Sequence, residues 1–337
     1  MKPPEDVWRE LADEPCPEGG YARRRIEMFS GLNAFFALAM PDKRPSLLVE
    51  AASESVPAHY SHPSCLGFRF SVASLESAPH RRVMMMLELG DVRYRDVFAA
   101  LAQDVLSCLA TAKDEKSGVR ALLDRLHRWV DFFQRQKNNG LSENEQQGLF
   151  GELWVMKNTL LRHLAAEDAV HSWQGPGGAN QDFHLPSCAV EVKTSVSSPH
   201  ERVSVSNVLQ LDETGVPALV MAHLSLDRHR SMGETLPGIV GDIRRCLAED
   251  APHLTGVFNA LLVNSGYLEV HLNQYLDTGY HVRHARYYRV RDGFPRILEH
   301  NLQEGIGDVR YTVVMSACVP FEITADDFKG LLTGGRS

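Results

Sequence analysis

The chain has 337 residues, 44% of them hydrophobic and 23% charged, with a formal net charge of −8. That length allows two or three domains, the composition is that of a folded globular protein, and the negative balance argues against a protein that coats nucleic acid over its whole surface. No run of about 18 apolar residues is present, which excludes a membrane-spanning helix. The stretch from Met1 to Asp6 lacks the apolar region of a signal peptide, so a cytoplasmic protein is expected. Six cysteines, at 16, 65, 108, 188, 246 and 318, form no Cys-x-x-Cys pair and suggest neither a structural zinc site nor a disulfide framework.

Val7, Trp8 and Leu11 predict a short N-terminal helix, followed by a loop to about residue 25. Short β-like runs follow at 26–29, 34–39, 46–50, 66–72 and 83–89, separated by Pro- and Ser-containing turns, and read as a β-rich domain. Val97, Leu101, Val105 and Leu109 recur at helical spacing. Val119, Leu122, Leu123, Leu126, Trp129, Val130 and Phe133 mark a second helix. Residues 136–140 form a polar break that reads as a linker. Ser142 and Glu145 have the spacing of a capping box and open a helix with the apolar stripe Leu149, Leu153, Met156, Leu160 and Leu164, widened by Phe150, Trp154 and Leu161.

A hairpin is expected over 182–194, turning at Pro186-Ser187. A strand at 202–206, a turn or helix at 207–211 and an apolar strand at 218–226 come next, which together predict a helix-flanked mixed sheet. The remainder predicts helices at 236–247 and 254–263, strands at 267–272, 280–290 and 309–316, and a final helix capped by Thr324.

The chemistry gathers in the hairpin. Side chains alternate faces along a strand, so Glu191 and Lys193 share one face while Val190 and Val192 pack on the other. With Asp182 on the paired strand, two carboxylates converge on one ion. Mg²⁺, with Mn²⁺ as a substitute, suits an oxygen site of one or two carboxylates completed by water and a substrate phosphate. Such an ion acidifies water and polarises a phosphoryl oxygen, while Lys193 orients the attacking water or stabilises negative charge. Glu152 borders the apolar stripe of its helix and can face the metal. Glu145, seven residues earlier, is better read as the capping acid. Gln210 can hydrogen-bond the scissile phosphate or a carboxylate.

Charge is unevenly spread. Residues 141–225 hold ten Asp/Glu against four Lys/Arg, a net of −6, whereas 280–296 hold five Arg against one Asp, a net of +4. Arg283, Arg286, Arg289 and Arg291 lie on a predicted strand with aromatics, a composition suited to nucleic-acid phosphates and bases. Alternation places His284, Arg286 and Tyr288 on one face and Arg283, Tyr287, Arg289 and Arg291 on the other. Gly175-Pro176-Gly177-Gly178 lacks the Gly-Lys-Ser/Thr of a phosphate loop and reads as a loop leading to Asp182.

Gly-Leu-Phe-Gly-Glu-Leu on a helix, then Asp182-Phe183, Val-Glu-Val-Lys-Thr and Val-Ser-Asn-Val-Leu-Gln-Leu, resembles the PD-(D/E)XK nuclease superfamily over residues 145–225. More narrowly, the chain is similar to bacterial PD-(D/E)XK motif proteins found beside restriction-modification and phage-defence genes. Gln181 stands in the slot of the eponymous proline. The resemblance implies an α/β (α+β) fold with a restriction-endonuclease-like mixed sheet flanked by helices. The expected division is a β-rich domain at 1–95, a helical connector at 96–140, a nuclease core at 141–226 and an α+β region at 227–337. It also implies Asp182, Glu191 and Glu152 as metal ligands, Lys193 as the catalytic lysine and Gln210 as an accessory group. The expected activity is Mg²⁺-dependent cleavage of DNA in restriction or phage defence, as a homodimer or with ATPase, helicase or methyltransferase partners. A catalytically inactive nucleic-acid-binding or assembly subunit, and an RNA nuclease, stand as the alternatives.

Overall fold

The computed structural model describes residues 2–15, 18–26, 32–57, 63–65, 67–75, 81–135, 140–196, 201–230 and 232–334, without the side chains of 131–135. The expected linker at 136–139, positions 27–29 and 66 of the expected strands, and the Phe133 side chain lie outside this description. The chain divides into two compact units, one of residues 1–140 with 268–270, the other of residues 141–267 and 271–337. In this division the helices of 96–140 fall with the β-rich part, and 227–337, apart from 268–270, falls with the core, where four parts were expected.

The first unit is an antiparallel sheet of β1 (Tyr21–Ile26), β2 (Asn33–Ala39), β3 (Arg44–Ala52), β4 (Phe68–Leu75) and β5 (Arg82–Leu89), in the order β1-β2-β3-β5-β4. Helices α1 (Pro4–Asp13), α2 (Arg95–Ala110) and α3 (Glu115–Arg135) complete it. Trp8 on α1 is fully buried, stacks on Phe98 at 5.4 Å and donates its indole N–H to the Ser46 carbonyl at 3.1 Å. Strand β1 occupies part of the expected loop. Its Tyr-Ala-Arg-Arg-Arg-Ile run looks unlike a strand because it is an edge, where charge blocks further pairing; Arg23 lies 4.8 Å above the Phe35 ring.

In the second unit, α4 (Glu143–Val155) begins at Ser142 with the predicted capping box. It runs through a π-helical turn at Met156–Leu160 into α5 (Leu161–His163), and α6 (Ala166–Ser172) follows. The hairpin is β6 (Phe183–His184) and β7 (Ala189–Val196), with Phe183 opposite Val190. Strand β8 (Arg202–Val205) leaves the main sheet, and β9 (Leu219–Arg230) pairs parallel with β7. Next come β10 (Glu234–Thr235), α7 (Leu236–Asp250), α8 (Thr255–Asn264), α9 (Leu272–Leu276), β11 (Thr278–Val290), β12 (Tyr311–Val314), β13 (Glu322–Ile323) and α10 (Ala325–Leu332). The main sheet runs β10-β11-β9-β7-β6, with β13 on β11, while β8 and β12 form a two-stranded sheet.

The strand expected at 267–272 is instead a 3-10 turn (Glu269–His271) and α9. Its apolar alternation is strand-like. The buried tyrosines decide otherwise: Tyr267 packs on Tyr275 at 5.5 Å, and the Tyr275 hydroxyl accepts the Leu141 N–H at 2.9 Å. That contact requires the chain to coil between them.

Both faces of the main sheet are covered, which accounts for the unbroken burial of β9 from Leu219 to Leu226. One face carries Val190, Val192, Val220, Ala222 and Leu224 against Leu149, Phe150 and Leu153 of α4. The other carries Ala189, Leu219, Met221 and Tyr288 against Val203, Val205 and Val313. Helix α4 approaches β7 at Gly151, where a Cβ would stand 2.4 Å from Thr194 Cγ2. Gly151→Ala is therefore expected to destabilise this unit by about 2 kcal/mol through overpacking, read as a lower urea midpoint, whereas Gly148→Ala, with nothing within 4 Å, should not. Among the described residues, no helix is long and apolar enough to cross a membrane.

Candidate active site

Strand β7 presents Glu191 and Lys193 on the face opposite Val190 and Val192, as alternation requires. Glu191 is 1% exposed. One of its oxygens lies 2.7 Å from Lys193 Nζ, and the other, Oε2, is buried with no hydrogen-bond partner among the described residues. Asp182 precedes β6 and closes the hairpin: its Oδ2 accepts the Val192 N–H at 2.7 Å. Its backbone carbonyl accepts the N–H groups of Gln174 at 2.9 Å and Gly175 at 3.1 Å.

Glu152 arrives from α4. It faces inward, where its Oε2 accepts the indole N–H of Trp173 at 2.7 Å. Trp173 is fully buried and packs on Phe258 at 5.9 Å, so its donor is rigidly aimed. A Cβ on Gly175 would stand 3.1 Å from Asp182 Oδ1 and 3.5 Å from Glu152 Oε2. Both carboxylates thus face the space beside this glycine. The Gly175–Gly178 stretch, expected as a loop, is a 3-10 turn (Gly175–Gly177) built against them.

Gln210 comes from the one-turn 3-10 helix Val208–Leu211. Its Oε1 accepts from Lys193 Nζ at 2.9 Å and from the Ser206 N–H at 2.9 Å. The contact is to the lysine, not to a carboxylate. Glu145 is the capping acid. The structure thus brings together Asp182, Glu191, Lys193, Glu152 and Gln210. Trp173 and Gly175 belong beside them and were not legible in the sequence, since neither residue type signals contact with a carboxylate.

The electrostatics are those of trapped negative charge. Burial, then the neighbouring Asp182, pushes the Glu152 carboxyl well up, against the Trp173 hydrogen bond and the Lys193 charge. Burial raises Asp182 to about 6, opposed by the Val192 N–H and Lys193. Burial and Asp182 raise Glu191 well up, with Lys193 opposing and Glu152 adding to the rise. One lysine does not neutralise three carboxylates, so the site favours a further cation. The donors are oxygens only, one of them an unpartnered buried carboxylate oxygen, which fits Mg²⁺ or Mn²⁺. No group of three or more His, Cys, Asp or Glu among the described residues is arranged to hold a metal ion; Mg²⁺ is typically held by only one or two carboxylates, with waters and substrate phosphate completing its shell.

The basic strand β11 is an interior strand between β9 and the short strands β10 and β13. A bulge between Val282 and His284 sets Arg283 out of register. Its guanidinium reaches Ser225 Oγ at 2.5 Å, Glu201 at 3.3 Å and Asp227 at 3.4 Å. Arg286 lies 3.9 Å from Glu322, and Arg289 donates to the Pro217 carbonyl at 3.5 Å. Arg291 is exposed. Arg296 is 5% exposed and pairs with Glu213. The expected alternation holds for Tyr287 and Tyr288, which enter opposite cores. It fails at Arg283, because the bulge turns that side chain toward the Ser225 face.

That face holds a second buried polar cluster. Ser195 Oγ lies 2.8 Å from His223 Nε2, and His223 is fully buried. Burial lowers His223 to about 4, with His284 and Arg286 adding and Glu201 opposing. The unfolded histidine, near 6.5, binds a proton that the folded one refuses. Stability from His223 is therefore present at pH 7 and lost as pH falls through 6.5 toward 4. Between pH 7 and 5 the loss is about 2 kcal/mol. Urea unfolding of wild type and His223→Gln at both pH values should show their stability difference shrinking by that amount on acidification.

No curated protein and no solved structure matches the chain. A family model described as "Putative PD-(D/E)XK family member, (DUF4420)" matches residues 5–316. That span covers most of both compact units and every residue of the site, and the chain belongs to this PD-(D/E)XK family.

Proposed function

We propose that this chain is a divalent-metal-dependent endonuclease that hydrolyses DNA phosphodiesters. The observation that carries the reading is the buried Glu191 carboxylate: one oxygen is tied to Lys193, the other is unpartnered, and Asp182 and Glu152 are its electrostatic neighbours. Asp182, Glu191 and Glu152 would hold Mg²⁺ or Mn²⁺. When bound, the cation supplies Lewis-acid polarisation of a phosphoryl oxygen and a more acidic water.

Lys193 Nζ is held between Glu191 Oε1 and Gln210 Oε1. A donor fixed in a desolvated site needs no reorganisation as negative charge builds on the phosphoryl oxygens. Water adds to phosphorus, the 3′ oxygen leaves with a proton, and a 5′ phosphate and a 3′ hydroxyl result. Trp173 aims Glu152, and the missing side chain at Gly175 leaves room beside the carboxylates. Because residues 141–225 are acidic, substrate grip falls to basic groups elsewhere. Arg286 on β11 and Arg291 just past its end are exposed and suit that role better than Arg283, which bridges Glu201 and Asp227. A role in restriction or phage defence, as a homodimer or with ATPase or methyltransferase partners, follows from the family resemblance.

Supercoiled plasmid, linear duplex, single-stranded DNA and RNA, each incubated with the protein in Mg²⁺ or in EDTA, test the reading. Mg²⁺-dependent nicking or linearisation of DNA is expected. Cleavage of RNA alone would move the assignment to an RNA nuclease. If every substrate is bound but left intact in both Mg²⁺ and Mn²⁺, the catalytic reading is wrong and a binding or assembly role replaces it.

A further inference from the structure

We propose that Gln181 is a positioning residue of this site: its buried amide clamps the turn that carries Gln210 and so sets the acceptor that holds Lys193. The inference rests on the nuclease reading for its effect on rate, but not for its effect on structure.

Gln181 immediately precedes Asp182 and is 4% exposed. Burying a primary amide is costly unless its donors are satisfied. Here Nε2 donates to the Leu209 carbonyl at 2.8 Å and reaches the Asp212 carbonyl at 3.4 Å. The Leu209 carbonyl lies within the 3-10 turn Val208–Leu211, where it also accepts the Asp212 N–H at 3.3 Å, and Asp212 is the residue that ends the turn. The Leu211 carbonyl, just before Asp212, takes a bond from Arg296 Nη1 at 2.7 Å. At the other end, Asn207 Oδ1 accepts the N–H groups of Leu209 at 2.9 Å and Gln210 at 3.2 Å. The turn is thus fixed at both ends, and Gln181 ties it to the segment of the metal-ligand arm.

Gln210 Oε1 then accepts from both Lys193 Nζ and the Ser206 N–H. The connections close a ring: Asp182 and Gln181 in sequence, the clamped turn, Gln210, Lys193, Glu191, and back through the hairpin to Asp182. A proline in the slot of Gln181 has no side-chain donor and cannot make this clamp. In this chain the departure from the eponymous motif therefore carries a function of its own, joining the metal-ligand arm to the lysine arm.

Gln181→Met keeps the length of the side chain and removes its donors. Loss of the clamp is expected to lower kcat about tenfold with KM for plasmid DNA changed less than about twofold. In a Gln210→Ala background the same substitution should cost less than about twofold, because the group it positions is gone. A full tenfold loss in that background, or no loss in the wild-type background, overturns the proposal. Amide hydrogen exchange gives a readout independent of activity: peptides covering 206–212 should exchange at least about tenfold faster in Gln181→Met, with those covering β7 unchanged. Should Gln181→Met fail to fold, Gln181→Asn, which keeps the amide on a shorter arm, is read by the same exchange. Absence of cleavage by wild-type protein would defeat the nuclease reading, while unaltered exchange at 206–212 would defeat the clamp.

Discussion

Lys193→Ala is expected to reduce Mg²⁺-dependent DNA cleavage by about a thousandfold, almost entirely in kcat. That is the usual consequence of removing one preorganised donor that stabilises transition-state charge. The lysine is held at 2.7 Å from Glu191 Oε1 and 2.9 Å from Gln210 Oε1, so its ammonium does not need to search for position as charge develops on phosphorus. The substitution also strands a buried carboxylate, and removing one partner of a buried pair costs about 3–5 kcal/mol of stability. A fall in activity alone would therefore not separate chemistry from unfolding. The double variant Glu191→Gln/Lys193→Met removes both charges at nearly constant volume and should fold about as well as wild type. It should cleave nothing. Circular dichroism together with plasmid cleavage decides the matter: a folded double variant that still cuts DNA in Mg²⁺ excludes this pair from catalysis.

Divalent metal is expected to stabilise the protein at neutral pH, and Glu152→Gln is expected to stabilise it without metal. Carboxyl groups whose folded pKa is raised contribute stability that is present below their unfolded values, near 4, and that is lost as pH rises through the folded value, about 6 for Asp182. At pH 7.5 the metal-free protein therefore carries a repulsion that Mg²⁺ or Mn²⁺ relieves. At about a hundredfold excess over Kd the cation adds about 2.7 kcal/mol, a rise of several degrees in the melting temperature. Glu152→Gln deletes one buried charge yet keeps a side-chain oxygen for the Trp173 indole. It should raise metal-free stability by about 1 kcal/mol and shrink the metal-induced rise. Thermal melts of both proteins with and without Mn²⁺ measure this. No metal-induced rise in the wild type, or an unchanged rise in Glu152→Gln, would remove Glu152 from the ligand set.

The glutamate helix, the hairpin and the lysine strand are legible in the sequence because each depends on neighbours within a few residues. Ser142 and Glu145 announce the start of α4. Pro186-Ser187 announces the hairpin turn. The two-residue period of a strand alone dictates that Glu191 and Lys193 share a face while Val190 and Val192 enter the core. These local rules, with the Gly-Leu-Phe-Gly-Glu-Leu and Val-Glu-Val-Lys-Thr motifs, sufficed to assemble five candidate residues that the fold does bring together. The same rules fail where charge masks a strand, as in β1, or where buried aromatics override an apolar alternation, as between Tyr267 and Tyr275.

By itself, then, the sequence determined which residue types line up on which face of each element, and so the carboxylate-and-lysine arrangement of the hairpin. Only the tertiary structure decided what surrounds it. It brought Trp173 onto Glu152 and Gly175 beside two carboxylates. It tied Gln181 to the turn of Gln210, and it bulged Arg283 away from a basic strip into ion pairs with Glu201 and Asp227. Periodicity orients a side chain relative to its own backbone, whereas the group it meets across the core is set by packing and by the need to satisfy each buried polar atom, and that partner can be far off in sequence, 82 residues away for Arg283 and Glu201.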